Sequence, residues 1–229
     1  MPKQPGLPFP PVRTRPEPFV TGAANEDALS RIEAWRAGLR APARPLAVVL
    51  AVTGAEGVGK SRLLAREAAR VGGAVRGPDA DFEADLGEAP VLFADDVHEM
   101  APLDLFALIE ACAQGRTPLM IAGGGRVADW SGEGAAKLPD LASRLGAIMQ
   151  APLGPPDEAM LARVLSEQLS RRGLRVPFAS VAEAAGRLRR EYAAATALAE
   201  AAERLAARGY KKPGGLLRDA LAEASEHAL

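Results

Sequence analysis

Residues Gly54-Ala55-Glu56-Gly57-Val58-Gly59-Lys60-Ser61 fit the spacing G-x-x-x-x-G-K-[ST] at every fixed position. Glycines at such places let the backbone turn its N–H groups inward, and that nest binds phosphate. Lys60 would reach the β- and γ-phosphates of a nucleoside triphosphate, and the Ser61 hydroxyl would sit on Mg²⁺. About 35 positions further on, the apolar run Val91-Leu92-Phe93-Ala94 ends in Asp95-Asp96. A strand end can place a carboxylate beside a metal and an attacking water, which assigns Asp95 to the Mg²⁺ shell and Asp96 to positioning water. Plainer roles remain open: a Gly-rich turn with no ligand for the loop, and a helix N-cap for Asp96 or Asp104.

These residues need elements to hold them. Leu46–Val52 is a continuous apolar run that reads as a buried parallel strand leading into the glycine loop. Leu63, Leu64 and Ala68 supply the inner face of a helix that would start beneath the phosphates. Asn25 is expected to cap a preceding helix carrying Ala28, Leu29, Ile32 and Trp35 and ending near Gly38. After Asp96 come a helix from about Leu103 to Ala113 and a further strand, Leu119–Ala122, which runs into Gly123-Gly124-Gly125. Alternating strands and helices imply an α/β fold with a parallel sheet flanked by helices. From Pro155 onward the strand signals stop. Helices are expected through Ala162, Leu165 and Leu169, then over Val181–Leu188, Ala193–Ala207 and Leu216–Ala228. The division is therefore an arm over 1–18, a Rossmann-like base over 19–152 and a helical lid over 153–229.

Composition narrows the function classes. The 229 residues are 48% hydrophobic and 25% charged, as in a globular protein, and the net charge of -1 gives no general attraction to nucleic acid. The single Cys112 excludes an internal disulfide framework, and its apolar helical surroundings place it in the core. The acidic stretch Asp79, Asp81, Glu83, Asp85 and Glu88 reads as a solvated loop without a metal, and His98 as an exposed residue at a strand end. No apolar run is long enough for a membrane span, and the first 18 residues carry seven prolines instead of the apolar core of a signal peptide. A cytoplasmic location is the resulting expectation.

With the loop and the paired aspartates in place, the chain resembles the AAA+ ATPases, and within them the replication initiator DnaA and the DnaA-related regulators of the Hda family. The resemblance runs over about residues 4 to 209. Phe19-Val20-Thr21-Gly22-Ala23-Ala24-Asn25 is similar to the family's opening segment, which implies that Val20 and Asn25 lie beside the adenine of ADP or ATP. Gly54, Gly57, Val58, Gly59, Lys60, Ser61 and Arg62 are then the nucleotide-binding residues, with Mg²⁺ at Ser61 and Asp95. Leu138-Pro139-Asp140-Leu141-Ala142-Ser143-Arg144-Leu145 resembles the arginine-finger segment, making Arg144 the candidate finger beside Asp96 as the other catalytic candidate. An ordinary surface ion pair is the alternative for Arg144. Gln4-Pro5-Gly6-Leu7-Pro8-Phe9 resembles the peptide by which Hda-like proteins bind the sliding clamp, with Gln4, Leu7 and Phe9 as anchors. A tail with scattered apolar residues is its plainer reading.

Two positions depart from the family. Ala122 stands where a Thr or Ser would sense the γ-phosphate, and Ala193 where a lid arginine would reach the phosphates, unless Arg189 or Arg190 replaces it. The resemblance thus implies an adaptor that links the DNA-loaded clamp to DnaA and promotes hydrolysis of DnaA-bound ATP. Such a protein would restrain replication initiation with weak or absent ATPase activity of its own. It implies no sequence-specific DNA reading and no membrane partner, and is compatible with a homodimer. The alternatives are an autonomous AAA+ ATPase, such as a helicase loader, and a diverged nucleotide-binding paralogue acting as a protein-interaction module.

Overall fold

A computed structural model describes residues 19–42, 44–87, 89–134, 137–210 and 215–226. Among these residues five strands form one parallel sheet in the order β2-β3-β4-β1-β5. They are β1 (Val49–Thr53), β2 (Val75–Arg76), β3 (Leu92–Ala94), β4 (Leu119–Ala122) and β5 (Met149–Pro152). The fold is α/β as expected, and the alternation of side chains along β1 builds its two layers. Val49 and Ala51 face a cluster with Leu119, Ile121, Leu105, Ile109, Leu141 and Leu145. Leu50 and Val52 face the other way, onto Ala28, Ile32, Leu63, Leu64, Phe93 and Met120. Burying each of the Val, Leu, Ile, Phe and Met side chains among them contributes roughly 1.5–3 kcal/mol.

The helices on one face are α3 (Pro102–Gly115) and α4 (Pro139–Ala147), and on the other α1 (Ala23–Gly38) and α2 (Lys60–Val71). Both α3 and α4 open on a proline, whose missing N–H costs nothing in a first turn. α1 ends where expected but starts earlier. Gly22 is its N-cap, and Asn25 sits inside the first turn, accepting from the Gly22 N–H at 3.0 Å and donating to the Val20 carbonyl at 2.8 Å. Asn25 therefore ties down the segment before the helix instead of capping it. β1 begins later than the apolar run suggests, because Pro45–Val48 forms a 3₁₀ turn.

Among the described residues four helices follow the sheet: α5 (Glu158–Arg171), α6 (Phe178–Ala185), α7 (Tyr192–Ala207) and α8 (Leu216–Glu226). Asp157 caps α5, accepting from the Met160 N–H at 2.7 Å. Leu161, Leu165, Val181, Leu198, Ala202 and Leu217 form their own buried cluster. Val20, ahead of α1, and Ala24, in its first turn, also pack on it. The start of the base is thereby joined to the lid.

Candidate functional site

The glycine loop leaves the C-terminal end of β1 and delivers the chain into α2. Gly54, Gly57 and Gly59 have φ of 145°, 74° and 94°, values at which a side chain is strained. At Gly54 a Cβ would also stand 2.6 Å from the Leu153 carbonyl oxygen, so this residue type alone fits between β1 and the end of β5. Gly59 is the N-cap of α2, Lys60 its first residue and Ser61 its second. The first N–H groups of a helix lack an intrahelical partner, and the helix dipole adds positive potential at that end. Val58 is buried beneath the loop, anchoring it to the core. Lys60 is buried too, and its Nζ donates to the Gly54 and Ala55 carbonyls at 3.1 and 2.8 Å.

Asp95 and Asp96 follow β3, half-buried. The Asp95 N–H donates to the Arg76 carbonyl at 2.8 Å, and the Asp95 carboxylate accepts from the Asp96 N–H at 3.0 Å. Asp96 has φ of 52°, a left-handed conformation that only a few residue types take readily. Neither Asp96 nor Asp104 caps α3 through its side chain: the N-cap is Ala101, and Pro102 starts the helix. β4 lies between β3 and β1, so its end is next to both the aspartates and the loop. Ala122 there is fully buried and brings no polar atom. The glycines after it are covered by Trp130, whose Nε1 donates to the Gly124 carbonyl at 2.6 Å, and by exposed His98, whose Nε2 would be 3.0 Å from a Gly124 Cβ. Cys112 is buried in the core, where burial pushes its thiol up to about 12 and leaves it inert.

The lid rests directly on the loop. The Tyr192 N–H, at the start of α7, donates to the Gly57 carbonyl at 3.2 Å. The Tyr192 ring lies 3.1 Å from where a Gly59 Cβ would be, and the Glu191 Cγ 3.4 Å from where a Gly57 Cβ would be. Arg62, on α2, reaches the lid at Thr196, 3.4 Å away. Phe19, Val20, Gly59, Arg62, Val164 and Tyr192 enclose a cavity of about 10 Å³, the room of one water. Ala193 is exposed beside them. Arg189 and Arg190 are exposed as well, and Arg189 is 3.8 Å from the Glu191 carboxylate. Glu191 and Tyr192 were not among the expected site residues, since no local pattern marks a side chain that reaches a loop more than 130 positions away.

The two halves of the site differ in shape. The loop, the α2 N-terminus, Lys60 and Ser61 suit the phosphates of a nucleotide, and Asp95 follows the strand next but one to β1. Between Val20 and Tyr192 the space is about 10 Å³, whereas Thr21, Gly22 and Asn25 line a recess of about 320 Å³.

Arg144 belongs to a different place. It lies on α4 and lines a recess of about 990 Å³ with Trp35, Leu46, Glu110 and Met149. Leu46 precedes β1 and Met149 opens β5, so this recess is at the N-terminal end of the strands, opposite the glycine loop. Arg144 Nε donates to Glu110 on α3, and the guanidinium sits 4.6 Å over the Phe106 ring. Gln4, Leu7 and Phe9 lie outside the described residues. No helix among those described is long and apolar enough to cross a membrane.

No family model matches this chain, and no curated protein matches it. Solved structures do. Domain III of the Thermotoga maritima replication initiation protein DnaA aligns with a TM-score of 0.60 at 18% identity, over 89% of this chain and 95% of that one. The Thermotoga maritima RuvB Holliday junction branch migration motor gives 0.61 at 17% identity, over 85% of this chain and 67% of its own. A DNA replication initiation factor gives 0.54 at 15% identity, over 74% and 58%. The likeness extends to DnaA and RuvB alike, and so does not reach the narrower Hda branch. What these structures share with this chain, sheet and flanking helices together, is the AAA+ fold.

Proposed function

We propose that this chain is a nucleotide-binding adaptor that docks on the DNA-loaded sliding clamp and lends Arg144 to ATP held by DnaA, lowering the active initiator. The observation that carries the reading is the position of Arg144. It stands at the opposite end of the sheet from the chain's own phosphate loop, on the rim of an open recess. From there it is out of reach of the chain's own loop and within reach of a partner docked on the recess. Delivered across an interface, it stabilises charge developing on the partner's transferring phosphoryl group.

The loop glycines, Lys60 and Ser61 would hold the phosphates of ADP or ATP, with Asp95 toward Mg²⁺ and Asp96 toward water. Bound there, nucleotide supplies anionic oxygens that bridge base and lid. The buried methyl of Ala122 and the exposed Ala193 offer no donor to a γ-phosphate, which fits weak or absent turnover. Gln4, Leu7 and Phe9 are the proposed clamp anchors.

The deciding experiment measures hydrolysis of DnaA-bound ATP with and without this protein, in the presence of clamp loaded on DNA. Stimulation that disappears with Arg144→Ala supports the reading, and stimulation that survives the substitution rejects it. Loss of clamp capture on replacing Leu7 and Phe9 with Ala tests the arm separately. The closed region around Tyr192 favours a second reading, a diverged AAA+ interaction module, which predicts no stimulation at all.

A further inference from the structure

We infer that the recess at the N-terminal end of the strands binds a small amphipathic anion, an apolar body carrying one carboxylate or sulfonate, and that its occupancy withdraws Arg144 from a partner. Binding is independent of the adaptor reading, whereas the effect on a partner rests on it. The recess holds about 990 Å³. That is the upper end of the range, about 300–1,000 Å³, over which pockets enclose small molecules. Its wall is apolar where Trp35 of α1, Leu46 ahead of β1, and Ile148 and Met149 at the start of β5 meet. A Cβ at Gly38, in the same wall, would meet nothing within 4 Å, so the space beside the end of α1 is open. Trp35 is 3% exposed, and its Nε1 is buried with no hydrogen-bond partner among the described residues. Native folds rarely leave such a donor unmet, and it is the kind of group that a bound acceptor satisfies.

Charge sets the sign of the ligand. The charged residues in the wall are Arg44, Arg144 and Glu110. Glu110 is already committed, accepting from Arg144 Nε and hydrogen-bonded to Gln114. Arg144 Nη1 lies 3.4 Å from the Asp140 carbonyl, and Nη2 makes no hydrogen bond among the described residues. Arg44 is exposed and has no ion-pair partner among the described residues. Two guanidinium groups thus border an apolar recess whose single carboxylate is taken. A cation would be repelled there, and a neutral molecule would leave both groups without a counter-charge. A carboxylate or sulfonate receives charge-assisted hydrogen bonds from the planar group while its apolar body covers Ile148 and Met149. Met149 is 41% exposed, and its unbranched thioether adapts to the shape of what covers it. An anion held at Arg144 occupies the edge that would meet a partner's phosphate. Ligand and partner therefore compete for one guanidinium.

The test is a fluorescence titration of the full chain with anilinonaphthalene sulfonate, an apolar fluorophore with one anionic group. Dodecanoate and dodecanol, kept below micelle formation, then displace it; they share a chain and differ in charge. The expected result is saturable binding at one site, weakened about tenfold in Arg144→Gln and in Arg44→Gln. Dodecanoate should displace the probe at a concentration about tenfold lower than dodecanol. Arg44 is exposed and outside every helix and strand, so Arg44→Gln decides the matter if Arg144→Gln fails to fold. Equal probe affinity in wild type and the folded variants, or equal displacement by the two chains, overturns the site. A second measurement follows stimulation of DnaA-bound ATP hydrolysis. Dodecanoate should abolish it in wild type at a concentration that leaves Arg44→Gln, which keeps Arg144, active. Stimulation of wild type that survives saturating dodecanoate overturns the competition. Probe binding as expected, with no stimulation by any form of the chain, overturns the adaptor reading and supports the site.

Discussion

Arg144 on α4 and Glu110 on α3 form an ion pair roofed by the Phe106 ring, 4.6 Å from the guanidinium carbon. Glu110 takes the Nε edge, while Nη1 lies 3.4 Å from the Asp140 carbonyl. The aromatic face and the carboxylate together hold the planar group in one orientation. Such preorganisation suits a cation presented to an incoming anion. Lysine has neither an Nε–H edge nor a plane to stack, so Arg144→Lys should fail to restore stimulation of DnaA-bound ATP hydrolysis. Glu110→Ala should reduce it by about tenfold or more through loss of aim. Full stimulation in Arg144→Lys would show that charge alone suffices.

The same pair sets a pH dependence. The hydrogen bond from Arg144 holds the Glu110 carboxyl below its ordinary value of 4.5, against the opposing effect of burial. A depressed folded-state value means the unfolded chain binds the proton more readily. The contribution to stability is therefore present above 4.5 and is lost as pH falls through the lower folded value. Carbon-detected NMR titration of Glu110 should give a midpoint below 4.5 in wild type, moving upward in Arg144→Ala. An unmoved midpoint in the variant would dissociate the pair from the shift.

Gly54 is a stability determinant as well as a loop residue. A Cβ there meets the Leu153 carbonyl oxygen at 2.6 Å with φ at 145°. Backbone strain and overpacking each cost about 1–3 kcal/mol. Gly54→Ala is expected to lose about 3 kcal/mol in urea unfolding. Gly38, at the end of α1, has open space around a Cβ, and Gly38→Ala should gain up to about 1 kcal/mol. Similar stabilities for the two variants would contradict the clash at Gly54.

Elements with their own periodicity were legible in advance. β1 with its loop and α2, β3, α3, β4 and the lid helices all carry apolar patterns that survive without tertiary context. β2 has two residues, Val75 and Arg76, too few for any alternation to register. β5 exposes Met149, Gln150 and Pro152 and buries Ala151 alone, because it is an edge strand. Asn25 looked like a cap because Asn is a good one, yet Gly22 allowed the helix to start a turn earlier. In the candidate site, the loop and the aspartates were readable because their chemistry is local. The contacts of Glu191 with Gly57 and of Glu110 with Arg144 were not, since long-range packing alone brings them together.

Glu67 shows how a buried charge joins the elements around the loop. It is 2% exposed on α2, and Arg36 from α1, Arg66 at 3.3 Å and Arg70 at 3.6 Å converge on it. Arg66 also lies 5.3 Å over the Phe19 ring, which fixes the segment leading to Val20. Removing the carboxylate leaves three guanidinium groups facing one another without a counter-charge. Breaking such a pair from its buried side costs about 3–5 kcal/mol, and the partly exposed arginines recover some of that in water. Glu67→Ala should therefore destabilise the fold by about 2–4 kcal/mol. Arg70→Ala, from a side chain 48% exposed, should cost less than about 1 kcal/mol. Thermal unfolding of both variants checks the ordering. A larger loss from Arg70→Ala would mean that the surface arginine, and not the buried acid, organises the cluster.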